Sequence, residues 1–480
     1  MKKRNLLKAG LFAMVGATIV ACGPTVPQYD GTEVQGVTED KIYIGNTAAT
    51  SGDFAAVGVP FNLGLNAVLK IYNEKGGFNG KTVELKHYDD GFNAETGLAN
   101  TKKLVEEDEV FALVGHFGTP TVGATLDYIT AEKGIPMVYA ATGISGLYNE
   151  DAEGYEKAVM PAQPIYNTEG RILLARALAT VEGNKGLGAS KVGVISTIDE
   201  AGEGILAGIQ RQAEELKVDI KYVTTQATTG TDHSAAVAAL KTAGCDVVII
   251  AANQAPFQEI MSYMRDGGVD NVKVITSYVS ANAAELTKLA LDGRITATRE
   301  VYTTAWLDIN SNAINYAPDA SNPIGAYLWA GYQILGTSLG LPDLYANGVA
   351  GFSQEYWDAA EAITAYDLSI NGMASQTAFA MSYNSYALAG YIAGTMFVEG
   401  LERVDEAGQE LTWLNYINAM ESAPVDIPMG GAINLTNGNR VGIEDLSLSK
   451  YDMATAQLSV YSPLTSLTDI MVAVPADKKK

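Results

Sequence analysis

Strand-like apolar runs begin near residues 191, 219, 246 and 272, separated by 28, 27 and 26 residues. Helical stripes fill the intervals, with Ile205, Leu206 and Ile209 in one and Phe257, Ile260, Met261 and Met264 in another. Units of that length leave room for one crossover helix per strand, so the strands lie parallel with right-handed connections. The same alternation runs earlier. Lys41–Gly45 reads as a half-buried strand, and Phe61, Leu65, Val68, Leu69 and Tyr72 recur at helical spacing before Gly76-Gly77. Strands at 82–88, 110–115 and 136–140 alternate with helices at about 94–107 and 120–132. Two consecutive sets of four predict two similar α/β lobes, and 480 residues are too many for one ordinary core.

The last 180 residues carry weaker periodicity. Ser382–Arg403 reads as a long helix with Tyr386, Ala389, Gly390, Ala393, Met396 and Phe397 on or near one face. Met429–Leu435 reads as a strand returning from a turn. Residues 302–377, rich in Asn, Ala, Gly and aromatics, hold helix-like pieces at 325–338 and 354–365 but no clear repeat.

At the N-terminus, Lys2, Lys3 and Arg4 precede an apolar stretch from Leu6 to Val20 that ends in Ala21-Cys22. A charged start, a short apolar core and small exit residues mark 1–21 as a secretory signal. The core is shorter than the roughly 20 residues that span a bilayer. Cys22 directly after Val20-Ala21 resembles the bacterial lipobox, whose sulfur receives a diacylglycerol. That implies a body anchored at Cys22 on the extracytoplasmic face of the cell membrane, periplasmic or extracellular. Residues 22–37, with Pro24 and Pro27, read as a linker. Cys245 then stands alone in the mature body; it precedes Val247–Ile250 and reads as a small packed hydrophobe.

The formal charge is −23, and 1–21 contain four bases and no acid, which leaves 55 acids against 28 bases beyond it. This balance argues against a nucleic-acid partner, which needs clustered Lys and Arg. Enzymatic chemistry also lacks its parts. The chain has three histidines, His87, His116 and His233, and His116 sits at the end of a buried strand pattern. Ser145 lacks the Gly-x-Ser-x-Gly spacing of a nucleophile elbow. Asn149, Asp151, Glu153 and Gly154 begin like a calcium loop, but the twelfth position is Met160 where a bidentate Glu is needed. No cofactor or metal is expected, and no enzyme.

Three stretches, taken together, resemble type I periplasmic solute-binding proteins of the branched-chain amino acid and amide importer group. The first contains Ile44-Gly45, Thr50-Ser51-Gly52 and Asn73–Gly80. The second contains Tyr88-Asp89-Asp90, Leu104-Val105 and Val114–Thr119. The third contains Gly134-Ile135-Pro136, Ala141-Thr142-Gly143 and Gln163–Arg171. They cover about residues 40–280, and Ser382–Arg403 and Met429–Leu435 look similar to the family's closing elements. The resemblance implies an α/β fold of two Rossmann-like lobes with parallel sheets and a three-crossing hinge. Crossings would fall near Pro161–Pro164, near 300 and near Pro424–Pro428. Lobe 1 would comprise 38–162 plus 302–425, with an insertion at about 302–377, and lobe 2 would comprise 163–301 plus 426–480.

The resemblance also implies a small-molecule ligand in the cleft and an ABC importer permease as partner. Thr119 corresponds to the residue that holds the ligand's carboxylate, and Ala141-Thr142-Gly143 to a second anchoring turn. Ser51-Gly52 forms a loop at the same sheet edge. Helix N-termini favour anions, so Thr119, Thr142 and Ser51 suit this task, although all three also suit plain helix caps. In the second lobe the chain departs from the pattern. A common Tyr is Ala201, an aromatic position reads Asn253-Gln254, and the acid that pairs with an ammonium falls on Tyr278. These changes disfavour a leucine-type ligand and suit an amide, a hydroxylated acid or a larger polar solute. Three function classes stay open: an importer's receptor for an amino acid or related carboxylate or amide, a sensor lipoprotein of the same fold, and a tethered α/β hydrolase.

Overall fold

The computed structural model describes residues 26–307, 322–338, 353–372, 381–382 and 384–479. The signal at 1–21, the lipidation site Cys22 and parts of the 302–377 insertion lie outside the described residues.

The first lobe is built on β1 (Lys41–Ala48), β2 (Thr82–Asp89), β3 (Ala112–Val114), β4 (Met137–Val138) and β5 (Val159–Met160), all parallel, in the order β2-β1-β3-β4-β5. Helices α1 (Ala55–Glu74), α2 (Ala94–Glu106) and α3 (Thr119–Asp127) supply its crossovers. The chain then passes into the second lobe through Pro161–Ile165. There α4 (Tyr166–Leu178), α5 (Glu200–Leu216), α6 (Ser234–Ala243), α7 (Gln254–Asp266) and α8 (Ala283–Leu291) alternate with β6 (Val192–Thr197), β7 (Lys221–Thr225), β8 (Val247–Ala251) and β9 (Val272–Thr276). Every residue of β6 and β8 is buried, as strands covered by helices on both faces require.

The second sheet holds three strands beyond the four expected. β10 (Arg299–Ala305) pairs parallel to β9 and continues the sheet across residue 300, so the passage expected there comes after Ala305. Helices α9 (Pro323–Ser338), α10 (Gln354–Asn371), α11 (Ser385–Glu406) and α12 (Trp413–Glu421) follow. The strand expected at 429–435 is a two-residue pairing of β11 (Val425–Asp426) with β12 (Ala432–Ile433). This stretch packs on the first lobe: Asn149 bridges Arg440, and the Ala152 N–H donates to Gly438. The chain regains the second sheet only at β13 (Leu446–Asp452) and β14 (Gln457–Thr465), antiparallel strands that give the order β14-β13-β10-β9-β8-β6-β7. A short α13 (Leu467–Val472) lies near the end.

Two helix pairs tie the lobes together internally. A Cβ at Gly64 of α1 would meet the Ala387 carbonyl at 1.9 Å, and one at Gly390 of α11 the Phe61 carbonyl at 1.8 Å. Reciprocal glycines thus let the two backbones touch. Gly170 of α4 and Gly208 of α5 do the same in the second lobe. The helix from Gly52 to Glu74 is long and apolar enough to cross a membrane, but Phe61, Leu65 and Leu69 are buried core residues.

Residues 26–37, expected as linker, are docked on the first lobe. The Tyr29 hydroxyl donates to the Gly134 carbonyl at 2.5 Å, Gln35 to Val105 and Val110, and the Trp413 N–H to the Glu33 carbonyl. Proline and polar composition signal the absence of helix and sheet, and do not exclude docking.

Candidate ligand-binding site

In an open parallel sheet the carboxyl ends of the strands collect the loops and the helix N-termini. Here the two sheets turn those ends toward one cavity of about 310 Å³. The first lobe contributes Phe117, Gly118 and Thr119 after β3 and Ala141 after β4; the second contributes Asn253 and Gln254 after β8 and Tyr278, Val279, Ala281, Asn282 and Ala283 after β9. Thr303 to Leu307, at and beyond the end of β10, residues of α10 and α11, and Ser449, Leu458 and Val460 of β13 and β14 add to the wall.

Thr119 is the first residue of α3 and is buried. Its hydroxyl lies 3.0 Å from that of Thr142 and 3.2 Å from that of Tyr166, and Thr142 is 3.4 Å from Tyr166. Burial pushes the Tyr166 phenol up, against the pull of the two threonine hydroxyls, so it stays neutral, and it accepts from the Thr142 hydroxyl. Thr119 reaches the cavity while Thr142 stands behind it. Gly143 is a packing position: its carbonyl accepts from the Tyr166 N–H at 2.6 Å, and a Cβ there would strike the Pro164 carbonyl.

Ser51 and Gly52 sit at the same sheet edge but are not among the lining residues. The Ser51 hydroxyl, with the N–H groups of Ser51, Thr50 and Gly91, holds the Asp89 carboxyl down to about 2. In the second lobe Asn253 and Gln254 cap and start α7, and both line the cavity. Tyr278 forms wall too, but its hydroxyl is committed, donating to the Pro164 carbonyl at 3.0 Å. It thereby links the loop after β9 to the first crossing. Ala201 is fully buried in α5.

Beneath Tyr278 lies Glu169 of α4, fully buried. It accepts from the Ser277 hydroxyl, the Tyr278 N–H and the Thr304 hydroxyl. Desolvation outweighs these three donors and pushes its carboxyl up to about 7.

The aromatic wall was not read from the sequence. Phe54, Phe92, Trp306, Tyr356 and Tyr386 line the cavity from five separate segments. Phe92 is left-handed at φ 65°, a conformation that bulky residues rarely take. Asp90 fixes this turn, accepting from the Phe92 N–H at 2.8 Å and from the Thr47 and Thr121 hydroxyls at 2.9 Å each. The ring is thereby stacked on Phe54 with centroids 3.8 Å apart, over Gly118, where a Cβ would come within 3.0 Å of it. The signal that could have found it was Asp90-Gly91-Phe92-Asn93, a turn sequence with an aromatic at its tip.

A family model for periplasmic binding proteins matches residues 41–332. An amino acid binding protein of Pseudomonas aeruginosa is 25% identical over 238 residues, which are 48% of this chain and 58% of that protein, so this chain spans less than two thirds of its length. The leucine-specific-binding protein of Salmonella typhimurium is 24% identical over 312 residues, 64% of this chain and 80% of that protein. Among solved structures, the fatty acid ABC transporter substrate-binding protein from Thermomonospora curvata superposes with a TM-score of 0.68 at 17% identity, covering 92% of this chain and 97% of that one.

Proposed function

This chain belongs to the periplasmic binding protein family, in its type I form, and from that premise we propose that it is the solute receptor of an ABC importer. It captures a small solute with a carboxylate or amide group, and closure of the lobes around that solute gives the permease a shape to recognise. The observation that carries this reading is the cavity itself, walled by the strand carboxyl ends of both sheets. The amino-acid-binding and leucine-binding names of the two relatives and the fatty-acid name of the structural neighbour support a carboxylate.

Thr119 would hold the anionic group, with Thr142 and Tyr166 orienting its hydroxyl. Asn253, Gln254 and Tyr278 would close on the solute from the other lobe. A helix N-terminus contributes about 0.3–1 kcal/mol, up to about 2 when partly buried. Micromolar binding needs about 8 kcal/mol. One lobe is therefore insufficient, and the second must supply the remainder. We take the body to work outside the cytoplasm, tethered through lipid on Cys22, acting by binding and release.

The test is a thermal-shift screen of the protein truncated before Gly23 against amino acids, amides, small carboxylates and sugars. Ligand binding to the folded state raises Tm by mass action. A shift with carboxylates or amides supports the receptor. Shifts with sugars alone remove the carboxylate site, and silence across all four classes removes the receptor reading.

A further inference from the structure

The wall of the cavity bears on which carboxylates can enter. Among its described lining residues there is no Asp, Glu, Lys, Arg or His. Phe54, Phe92, Trp306, Tyr356 and Tyr386 surround its interior instead. An α-amino acid would bring an ammonium as well as a carboxylate into this space. Burying a charge without a counter-charge is strongly unfavourable. The acid behind the wall, Glu169, is engaged by Ser277, Tyr278 and Thr304, and burial leaves it well short of a full negative charge at neutral pH.

A carboxylate meets the opposite surroundings. Four helices begin at the wall: α3 at Thr119, α7 at Gln254, α8 at Ala283 and α11 at Ser385. Their first N–H groups lack helical partners and favour negative charge. A second observation is independent of the helices. Gln254 is 7% exposed, yet its Nε2 makes no hydrogen bond, and a buried donor left that way calls for an acceptor.

We propose that the cavity selects a monocarboxylate with an apolar body and no α-ammonium, its carboxylate taken by neutral donors that include Thr119 and Gln254. The aromatic residues pack the body. This rests on the solute-receptor reading and narrows it, setting the chain apart from relatives named for amino acids.

The experiment is isothermal titration of the truncated protein with compounds that differ only in the charged group. 3-Phenylpropanoate is compared with phenylalanine and with 3-phenylpropanamide, and 4-methylpentanoate with leucine. Each deaminated acid is expected to bind about 100-fold tighter than its amino acid, as desolvating an unpaired charge implies. The two series separate a ring-bearing from an aliphatic body. Phenylalanine or leucine binding as tightly as its deaminated partner overturns the selection and leaves the receptor standing. The amide binding as well as the acid overturns the carboxylate. No binding by any of the five overturns the proposal, and the sugar and amide arms of the thermal screen then decide the receptor reading separately. Gln254→Glu is isosteric and retains a good helix start. It is expected to weaken 3-phenylpropanoate about 10-fold or more while phenylalanine gains; an unchanged ranking in that variant, with Tm intact, overturns the role of Gln254.

Discussion

Glu169 accepts a hydrogen bond from the Ser277 hydroxyl at 2.7 Å, and both residues are fully buried beneath the cavity wall. The carboxyl rises from the ordinary 4.5 to about 7, with desolvation as the main cause. Its folded state therefore binds more protons than the unfolded chain across that interval. The contribution to stability is complete below about pH 4.5 and is lost as pH rises through 7, by an amount on the order of 3 kcal/mol. Glu169→Gln keeps the shape and removes the titration. Urea titrations from pH 5 to 8 should show wild type losing stability relative to the variant; parallel curves would refute this account.

A second prediction concerns the three hydroxyls of Thr119, Thr142 and Tyr166. Each net hydrogen bond is worth about 0.5–1.5 kcal/mol. Replacing both threonines by alanine should weaken binding of an anionic ligand by about 10- to 100-fold without unfolding the protein. Tyr166→Phe should fall between the double variant and wild type. Titration calorimetry with Tm as the folding control measures this, and unchanged affinity in the double variant would remove the site.

The helix contact at Gly64 and Gly390 gives a third. Alanine in an exposed helix ordinarily stabilises relative to glycine by about 0.5–1 kcal/mol. Here the added methyl has no space, since it would overlap the Phe61 carbonyl. Gly390→Ala should destabilise by about 1–3 kcal/mol through overpacking. A rise in denaturation midpoint would show that the helices part without cost.

The sequence showed these helices more clearly than their meeting. The apolar stripe through Gly390, Ala393, Met396 and Phe397 is periodic, and so were the runs that became β6 to β9. The pairing of β10 with β13 joins residues about 145 apart, and no local signal names such a partner. Leu446 and Leu448 alternate with Ser447 and Ser449, but alternation specifies a face and not a neighbour. The site divided along the same line. Thr119 was legible because it starts a helix after a predicted strand, and Asn253-Gln254 only because the family resemblance marks that position. Phe54, Trp306, Tyr356 and Tyr386 meet only through the path of the chain between the lobes.

The last prediction follows from Arg440, which is 1% exposed. It donates to Glu421 Oε1 at 2.6 Å and to the carbonyls of Lys157, Leu435 and Asn439. Glu421 also pairs with the Lys157 ammonium at 2.9 Å. This group pins the stretch between β12 and β13 to the end of the first sheet, which is why the return to the second lobe is delayed to Leu446. Glu421→Gln leaves a buried guanidinium without its counter-charge and should cost about 3–5 kcal/mol, whereas replacing Arg440 and Glu421 together by Met and Leu should cost less than the single change. Urea denaturation of Arg440→Met, Glu421→Leu and the double variant measures the coupling. Additive losses would mean that the pair is incidental and that backbone hydrogen bonds alone hold the crossing in place.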